Sequence, residues 1–223
     1  MTRSGLDIRV EQAAVTRRYD RLAWLYDVYN APMELGTRGK RRRLLREARG
    51  SVLEIGVGTG RNLGYYPGSV EITGVDASPH MLARAKRRAL RLDSRAALLE
   101  GDAHGLAFED GEFDTTVGTC VLCSVADPAA VVREMVRVTR PGGAILLLEH
   151  VRPRSRMLGW FSDLATVLTR RLFGFRANRG TEETVAAAGV EIVGIRRVGI
   201  WREIIGRPKA IAAGAPTDSE GGR

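Results

Sequence analysis

The sequence has few of the residues that define several classes of protein. Its two cysteines, Cys120 and Cys123, lie together on one apolar segment. Two cysteines are too few for a disulfide framework, and their scarcity fits a reducing compartment. The three histidines are spread along the chain, with no cluster of nearby ligands. We therefore expect neither structural disulfides nor a metal site.

Long apolar runs are absent as well. No stretch approaches the ~20 uninterrupted apolar residues of a membrane-spanning helix, and the N-terminal MTRSGLDIRVEQ has no signal-peptide core. With 223 residues, 44% hydrophobic and 27% charged, the composition is that of an ordinary globular chain rather than a disordered or fibrous one. We expect one compact cytoplasmic domain.

Lysine is also scarce, although the chain is strongly basic. The net charge is +9, and three of the 35 basic residues are lysines, so 32 are arginines. Such a charge favours an anionic partner, either nucleic acid or an acidic membrane surface. GC-rich coding produces the same excess of arginine, so the charge alone does not decide between these explanations.

From residue 51 onward, short apolar runs alternate with helical patterns, which predicts an α/β fold with a mainly parallel sheet wrapped by helices. Predicted strands cover 51–55, 70–76, 96–102, 113–122 and 144–150, followed by a hairpin within 190–206. The last parallel strand, AILLLEH, is apolar throughout, as a central strand covered on both faces must be.

Helices are predicted between these strands and before them. Ser78 and Asp127 are candidate N-caps, each followed by a proline, for helices over 78–92 and 127–143. Residues 11–49 have a helical pattern in two pieces that break near Pro32. We expect N-terminal helices over 1–50, a core over 51–207 and a disordered tail over 208–223.

The glycine-rich stretch behind the first strand reads Gly56-x-Gly58-x-Gly60. A dinucleotide fingerprint requires a small residue three positions after Gly58, but Arg61 stands there. Glu54 precedes the loop, and its carboxylate would repel a pyrophosphate while suiting the ammonium of a methionyl group. The alternative is a tight strand-to-helix turn that binds no ligand.

Acidic residues also follow the next two strands. Asp76 ends the second strand, where a carboxylate commonly holds ribose hydroxyls. At the end of the third strand, Asp102 can accept from an adenine amine while the backbone N–H of Ala103 meets a ring nitrogen. Doubly wound sheets bind ligands at this edge, and surface charge explains three such acids poorly.

The chain resembles the class I S-adenosylmethionine-dependent methyltransferases of the type 11 superfamily over about residues 15–206. The resemblance lies in VLEIGVGTG, ITGVDASPHMLARA, EGDAHGLAFEDGEFD and REMVRVTRPGG, in that order. It implies a seven-stranded, mainly parallel sheet with an antiparallel C-terminal hairpin, and S-adenosyl-L-methionine as cofactor. It also implies cofactor contacts at Glu54, Gly56, Gly58, Gly60, Asp76, Asp102 and Ala103.

Further contacts are expected from the segments that cover the cofactor. In quinone-methylating relatives a similar Y-D segment caps the cofactor, so the resemblance points to Tyr19 and Tyr26 within the N-terminal helices. Aromatic core packing is the alternative for both tyrosines. Thr119 opens the segment TCVLCSV, which leaves the fourth strand at the same edge. The two cysteines of that segment are expected to fill the core.

Few catalytic groups are expected, because methyl transfer from a sulfonium requires alignment more than acid–base chemistry. His150, at the end of the fifth strand, is the candidate base for an acceptor that must lose a proton. A structural role is the alternative for this histidine. His80 and His104 fall in a helix start and a loop.

The acceptor is expected to be small and hydrophobic or lipid-like. GTCVLCSV, REMVRVTRPGG and LLEHV resemble microsomal alkyl-thiol methyltransferases, with more distant similarity to phospholipid and quinone methyltransferases. The hydrophobic anchor of the microsomal proteins is absent here. Residues 156–175 form an amphipathic pattern suited to an acceptor lid or to core packing. Residues 37–50 predict a basic helix whose charges encircle it, either solvated or in contact with anionic lipid.

Two other functions fit parts of the sequence. A nucleic-acid methyltransferase fits the positive charge, but the Asn/Asp-Pro-Pro-aromatic motif and the Pro-Cys nucleophile of such enzymes are missing, with LCSVADP after the fourth strand. A regulator that binds the cofactor without catalysis remains open, although the complete glycine loop and acidic strand ends argue against it.

Overall fold

The computed structural model describes residues 5–151, 160 and 180–209. Seven strands form one sheet, and five helices accompany it in the described part of the chain. The helices are α1 (Gly5–Tyr29), α2 (Ala31–Leu45), α3 (Pro79–Arg91), α4 (Pro128–Val138) and α5 (Thr181–Ala187). The strands are β1 (Ser51–Ile55), β2 (Glu71–Asp76), β3 (Ala97–Glu100), β4 (Phe113–Thr119), β5 (Thr139–His150), β6 (Val190–Val198) and β7 (Trp201–Pro208).

The sheet has the order β3-β2-β1-β4-β5-β7-β6. The first five strands pair in parallel, and β7 pairs antiparallel with both β5 and β6. The predicted fold class, a doubly wound and mainly parallel sheet with an antiparallel C-terminal hairpin, is confirmed. The strand order reverses between β1 and β4, so their carboxyl ends flank the crevice where such sheets bind ligands.

The buried core covers both faces of the central strands. Leu146 and Leu148 of β5 pack on one face and Ile145 and Leu147 on the other, all four with no exposed surface. This double burial explains why the sequence of β5 is apolar without alternation. The predicted N-caps are also present, because Ser78 accepts from Met81 N and Asp127 accepts from Ala129 N and Ala130 N.

Several element boundaries differ from those predicted. β4 stops at Thr119 rather than at residue 122, because Cys120 adopts a φ of +56° and turns the chain. α4 ends at Val138, shortly before the Pro141-Gly142-Gly143 stretch predicted as its stop, since Thr139 already has extended backbone and begins β5. Pro141 lacks the N–H that a continuing helix would need. β2 and β3 are each shorter than predicted at one or both ends.

The N-terminal region forms two long helices that meet at Asn30, as the Pro32 break predicts. Helical hydrogen bonding nearly bridges the junction, with Asn30 N to Tyr26 O at 3.1 Å and Glu34 N to Asn30 O at 2.9 Å. α1 begins at Gly5, six residues before the predicted start. None of the helices in the described ranges combines the length and hydropathy that a membrane crossing needs.

Candidate active site

A cleft opens at the carboxyl ends of β1, β2 and β4, between the sheet edge and α1. Its empty space, including the open mouth, is about 690 Å³. Seven of the predicted site residues line it: Tyr19, Tyr26, Gly56, Gly58, Asp76, Ala103 and Thr119.

The glycine loop forms the floor of this cleft, and its three glycines all have positive φ, from +57° to +75°. A Cβ at Gly56 would lie 2.6 Å from the Val121 side chain, and one at Gly60 would lie 3.2 Å from the Ala85 backbone of α3. A Cβ at Gly58 would meet no protein atom closer than 3.9 Å. The space beside Gly58 is therefore the cleft itself, open for a ligand.

Asp76 is fixed in the wall of the cleft by backbone donors. Gly58 N donates to one carboxylate oxygen at 2.8 Å, and Ser78 N donates to the other at 2.9 Å. Burial raises the pKa of the Asp76 carboxyl, against the lowering effect of these two hydrogen bonds. Because each oxygen keeps a second lone pair, the carboxylate can still accept from a ligand's hydroxyls.

After β3, the two residues predicted to contact the cofactor, Asp102 and Ala103, lie in different cavities. Ala103 lines the cleft, whereas Asp102 borders a neighbouring groove with Arg9. The Asp102 carboxylate is bound to its own loop, 2.6 Å from His104 Nδ1 and 3.0 Å from His104 N. The hydrogen bond with the His104 side chain lowers the pKa of Asp102.

Glu54 lies behind the glycine loop and is not among the residues that line the cleft. Its carboxylate accepts from Asn62 Nδ2 and from the Tyr66 hydroxyl, both at 2.8 Å. Burial raises the pKa of Glu54 to about 7, although both hydrogen bonds lower it. Gly60 likewise packs against α3 and does not line the cleft.

Helix α1 lies across the opposite side of the cleft and brings Tyr19 and Tyr26 to it. The Tyr19 hydroxyl is 2.6 Å from Ser124 Oγ, and the two tyrosine rings are 6.0 Å apart. Asp20 of α1 accepts from the Ser78 hydroxyl at the start of α3. Both tyrosine hydroxyls have a pKa raised above the usual range by burial, so they are neutral at physiological pH.

A second anchor of α1 is centred on Asp27. Its carboxylate accepts from Thr59 Oγ1 at 2.8 Å and Arg61 Nε at 2.9 Å, and from Arg88 and Arg84 at 3.1 and 3.3 Å. Arg61, the residue that breaks the dinucleotide spacing, therefore ties the glycine loop to α1 rather than facing a phosphate.

The basic helix predicted over 37–50 is not encircled by solvated charge, which corrects that expectation. Arg41 is 5% exposed and points inward. Its Nη1 donates to Asn62 Oδ1 at 2.7 Å and to Thr119 Oγ1 at 2.8 Å. Arg43 pairs with Glu203 of β7. Arg41 is therefore not available to a lipid surface, whereas Arg43 is exposed as well as paired.

His150, the candidate base, does not line the cleft. It is 8% exposed, with its ring 5.9 Å from that of Trp201. Burial lowers the pKa of His150 below its ordinary value. Its neighbour Glu149 accepts from Val121 N and Leu122 N at 2.8 and 2.9 Å, which fixes the turn after β4.

The two cysteines have different surroundings. Cys123 is buried, whereas Cys120 is half-buried and lines the cleft. Burial raises the pKa of the Cys120 thiol to about 12, so it stays protonated at physiological pH. Within the described residues, no three His, Cys, Asp or Glu side chains are grouped as a metal site would require.

Sequence reasoning missed several residues of the cleft. Gln12 and Thr16 of α1 line it, and so do Met81 of α3 and Ser124 after β4. Ser78, which the sequence identifies only as an N-cap, also lines the cleft. The predicted lid over 156–175 lies, apart from Trp160, outside the described residues.

Comparisons with known proteins agree with this architecture. A model of the family described as methyltransferase domain matches residues 53–147. A phosphatidylethanolamine N-methyltransferase of Cereibacter sphaeroides is 36% identical over 172 residues, covering 70% of this chain and 84% of the relative. A demethylmenaquinone methyltransferase of Renibacterium salmoninarum is 32% identical over 192 residues, covering 83% and 77%.

A human thiol S-methyltransferase is 35% identical over 116 residues, covering 50% of this chain and 47% of the relative. Among solved structures, an S-adenosylmethionine-dependent methyltransferase of Thermotoga maritima has a TM-score of 0.68 at 21% identity. The match covers 87% of this chain and all of that one. The chain therefore belongs to the class I S-adenosylmethionine-dependent methyltransferases, with S-adenosylmethionine as its cofactor.

Proposed function

We propose that this methyltransferase acts on a small hydrophobic or lipid-like acceptor. One observation carries the proposal: among the described residues that line the cleft, Asp76 is the only charged one, and most of the others are apolar or aromatic. Val15, Tyr19 and Tyr26 come from α1, and Val121 and Val125 from the segment after β4. A nucleic-acid acceptor would favour cations in the cleft lining to hold phosphates, and the described lining contains no arginine or lysine.

The residues of the cleft suit the cofactor. Asp76 accepts from the ribose hydroxyls, and the backbone at Gly56 and Gly58 permits close approach of the cofactor. The backbone N–H of Ala103 donates to the adenine ring. The empty space beside Gly58, which a Cβ would fill, supports this placement. When bound, the cofactor supplies a methyl group activated on a sulfonium.

The chain's own contribution is alignment and exclusion of water. Tyr19 and Tyr26 cover the cleft as neutral phenols, and Cys120 stays a thiol, so none of the three is a strong base at physiological pH. An acceptor must therefore bring its own nucleophilic atom. A thiolate, a neutral amine head group and an electron-rich quinol carbon all meet this requirement, and the relatives' names cover these three types.

A transfer assay tests the proposal. The purified chain is incubated with methyl-labelled S-adenosylmethionine and, separately, an alkyl thiol, phosphatidylethanolamine in mixed micelles, demethylmenaquinone and a mixed RNA pool. We expect label in one of the first three acceptors, and much less with Asp76→Asn. Asp110→Asn, at a side chain 81% exposed, is the matched control. Labelling of RNA alone, or binding without transfer to any acceptor, contradicts the proposal.

We further propose that the protein meets a lipid-like acceptor at a membrane surface, through one exposed stripe of the N-terminal helices. Trp24, Val28 and Leu35 are 72%, 67% and 78% exposed and recur at helical spacing. Exposed arginines Arg17, Arg21 and Arg38 continue the same spacing on either side. An apolar stripe flanked by arginines is typical of helices that lie in the plane of an anionic membrane.

Flotation with vesicles of phosphatidylglycerol and phosphatidylcholine tests this contact. We expect the triple change Trp24→Ser, Val28→Ser and Leu35→Ser to reduce the bound fraction severalfold. Leu90→Ser is the control, because Leu90 is 83% exposed on α3 and lies outside the stripe. Equal flotation of the triple variant and the wild type contradicts the membrane contact while leaving the transfer assay unaffected.

A further inference from the structure

The hydrogen bonds around Thr119 use up the acceptor capacity of its hydroxyl. Thr119 Oγ1 accepts from Arg41 Nη1 at 2.8 Å and from Asn62 Nδ2 at 3.0 Å. A hydroxyl oxygen has two lone pairs and one O–H. Both lone pairs are therefore engaged from behind, and the O–H is the only hydrogen-bonding group that Thr119 has left to offer.

The direction of these bonds is fixed by Arg41, whose guanidinium has donors only. Arg41 Nη1 also donates to Asn62 Oδ1 at 2.7 Å, which sets the orientation of the amide. Asn62 Nδ2 then faces Glu54 Oε1 at 2.8 Å and Thr119. Rotating the amide by 180° would place two donors against each other at Arg41, so the network has one arrangement.

Thr119 is 8% exposed and borders the cleft, at the end of β4 where the chain turns. From this we infer that Thr119 donates a hydrogen bond to an anionic oxygen of the bound ligand, the carboxylate of the amino-acid end of S-adenosylmethionine. The inference rests on the proposed placement of the cofactor in this cleft. Arg41 is the positioning residue, because it acts through Thr119.

Two features favour a carboxylate over the other groups at that end of the cofactor. An ammonium has only donors and cannot accept from the Thr119 hydroxyl. The Arg41 guanidinium, whose Nε also pairs with Glu34 at 3.4 Å, donates to the Thr119 hydroxyl and polarises its O–H, which favours an anionic acceptor on the cleft side. The nucleoside end is accounted for by Asp76 and Ala103 in the proposed placement.

Calorimetry with two ligands tests the inference. Decarboxylated S-adenosylmethionine keeps the nucleoside, the sulfonium and the amine, and lacks only the carboxylate. Since a hydrogen bond to a charged group contributes ~1.5–3 kcal/mol, we expect Thr119→Val to weaken binding of S-adenosylmethionine about ten- to hundredfold. Binding of the decarboxylated ligand should change by no more than about threefold, and Thr119→Ser should bind both ligands as the wild type does.

Arg41→Lys is a second variant, for the case in which Thr119→Val fails to fold. A lysine keeps the charge but lacks the planar fork that holds Asn62 and Thr119 together. It should show the same selective loss toward the carboxylate-bearing ligand, to a smaller degree. Thermal melting of each variant separates loss of folding from loss of binding.

Equal weakening of both ligands by Thr119→Val would overturn the inference, and so would unchanged binding of both. These outcomes differ from failure of the proposed placement of the cofactor. If the cofactor lies elsewhere, the Asp76→Asn variant, with no other substitution, binds both ligands as tightly as the wild type does. If only the Thr119 contact is wrong, Asp76→Asn weakens both ligands while Thr119→Val does not discriminate between them.

Discussion

At the Asp76 end of the cleft, formed by Gly56, Gly58, Asp76 and Ala103, the carboxylate is held by backbone N–H groups no more than 18 residues away in sequence. The other end of the cleft, called the Thr119 end, includes Tyr19, Thr119 and Ser124. Its contacts come from side chains that are far apart along the chain. Arg41 is separated from Thr119 by 78 residues and Tyr19 from Ser124 by 105. The first end depends on one strand–loop–strand unit, whereas the second requires the N-terminal helices to be docked.

This difference has a consequence for how each end can fail. Asp76→Asn at the Asp76 end removes the proposed ligand contact and the acceptor of one backbone N–H, that of Gly58 or of Ser78. A change at the Thr119 end acts through buried polar groups whose partners are then left unsatisfied. Binding and stability should therefore separate at one end and change together at the other.

The largest expected effect is at Asp76. Asp76→Asn keeps an acceptor for Gly58 or Ser78 but loses the bidentate carboxylate, so we expect about hundredfold weaker binding of S-adenosylmethionine. The melting temperature should change little by comparison. Calorimetry and thermal melting measure the two quantities. A variant that loses stability as much as affinity would break the proposed distinction between the ends.

The next effect concerns Glu54, behind the loop on the Thr119 side. Burial raises the pKa of Glu54 in the folded state to about 7. Between the ordinary pKa of a glutamate and about 7, Glu54 is therefore protonated in the folded state and ionised in the unfolded state. The free energy of unfolding should therefore fall as pH rises from about 5 to 8, by ~2–3 kcal/mol. Urea unfolding at several pH values measures this slope.

Glu54→Gln is the control for that slope. Glutamine is neutral at every pH and can still accept from Asn62 and donate to Tyr66. We expect its free energy of unfolding to lack the decrease between pH 5 and 8 that the wild type shows. Parallel profiles for the two proteins would mean that Glu54 does not hold the proton and that another group causes the slope.

A smaller effect is expected at Asp27, which joins α1 to the glycine loop and α3. Asp27→Asn leaves Arg84 and Arg88 without the Asp27 carboxylate and leaves Arg61 with Glu34 alone, and we expect a loss of about 2 kcal/mol. Hydrogen exchange should become faster along α1 and not in β4 or β5. Glu191→Gln, which breaks an exposed pair with Arg207, is the control. Equally faster exchange throughout the sheet would contradict a local role.

The smallest effect is at the contact between Tyr19 and Ser124. Tyr19→Phe and Ser124→Ala each remove one hydrogen bond, and the double variant should be little worse than either one. A double-mutant cycle should give a coupling of about 1 kcal/mol. Additive losses would show that the two hydroxyls do not interact in solution and would weaken the link between α1 and the Thr119 end.

The fold could be predicted from the sequence because its signals are local. The caps at Ser78 and Asp127, the apolar β5 and the positive-φ glycines each act within a few residues. The end of β4 was predicted three residues too late because the left-handed Cys120 has no local signal. A cysteine with positive φ is uncommon. The turn is held by Glu149, which accepts from Val121 N and Leu122 N although it lies more than 25 residues away in sequence.

The candidate site could be predicted only in part, for the same reason. Asp76 and the glycine loop follow from a strand pattern and a spacing. The inward direction of Arg41 does not, because its helix carries arginines at 41, 42 and 43 and only the packing of α2 decides which is buried. Glu54 and Asp102 were assigned to the cofactor from their strand-end positions and from the resemblance, which could not reveal that each carboxylate has partners within the chain.

At Gly58, folding stability and ligand binding can be changed separately. Its neighbours Gly56 and Gly60 exclude a side chain because the protein itself fills the space, whereas a methyl group at Gly58 would occupy only the volume where the ligand belongs. The positive φ makes alanine there cost about 1 kcal/mol, which a folded domain of this size can absorb. We therefore expect Gly58→Ala to leave a folded domain that binds its methyl donor much more weakly.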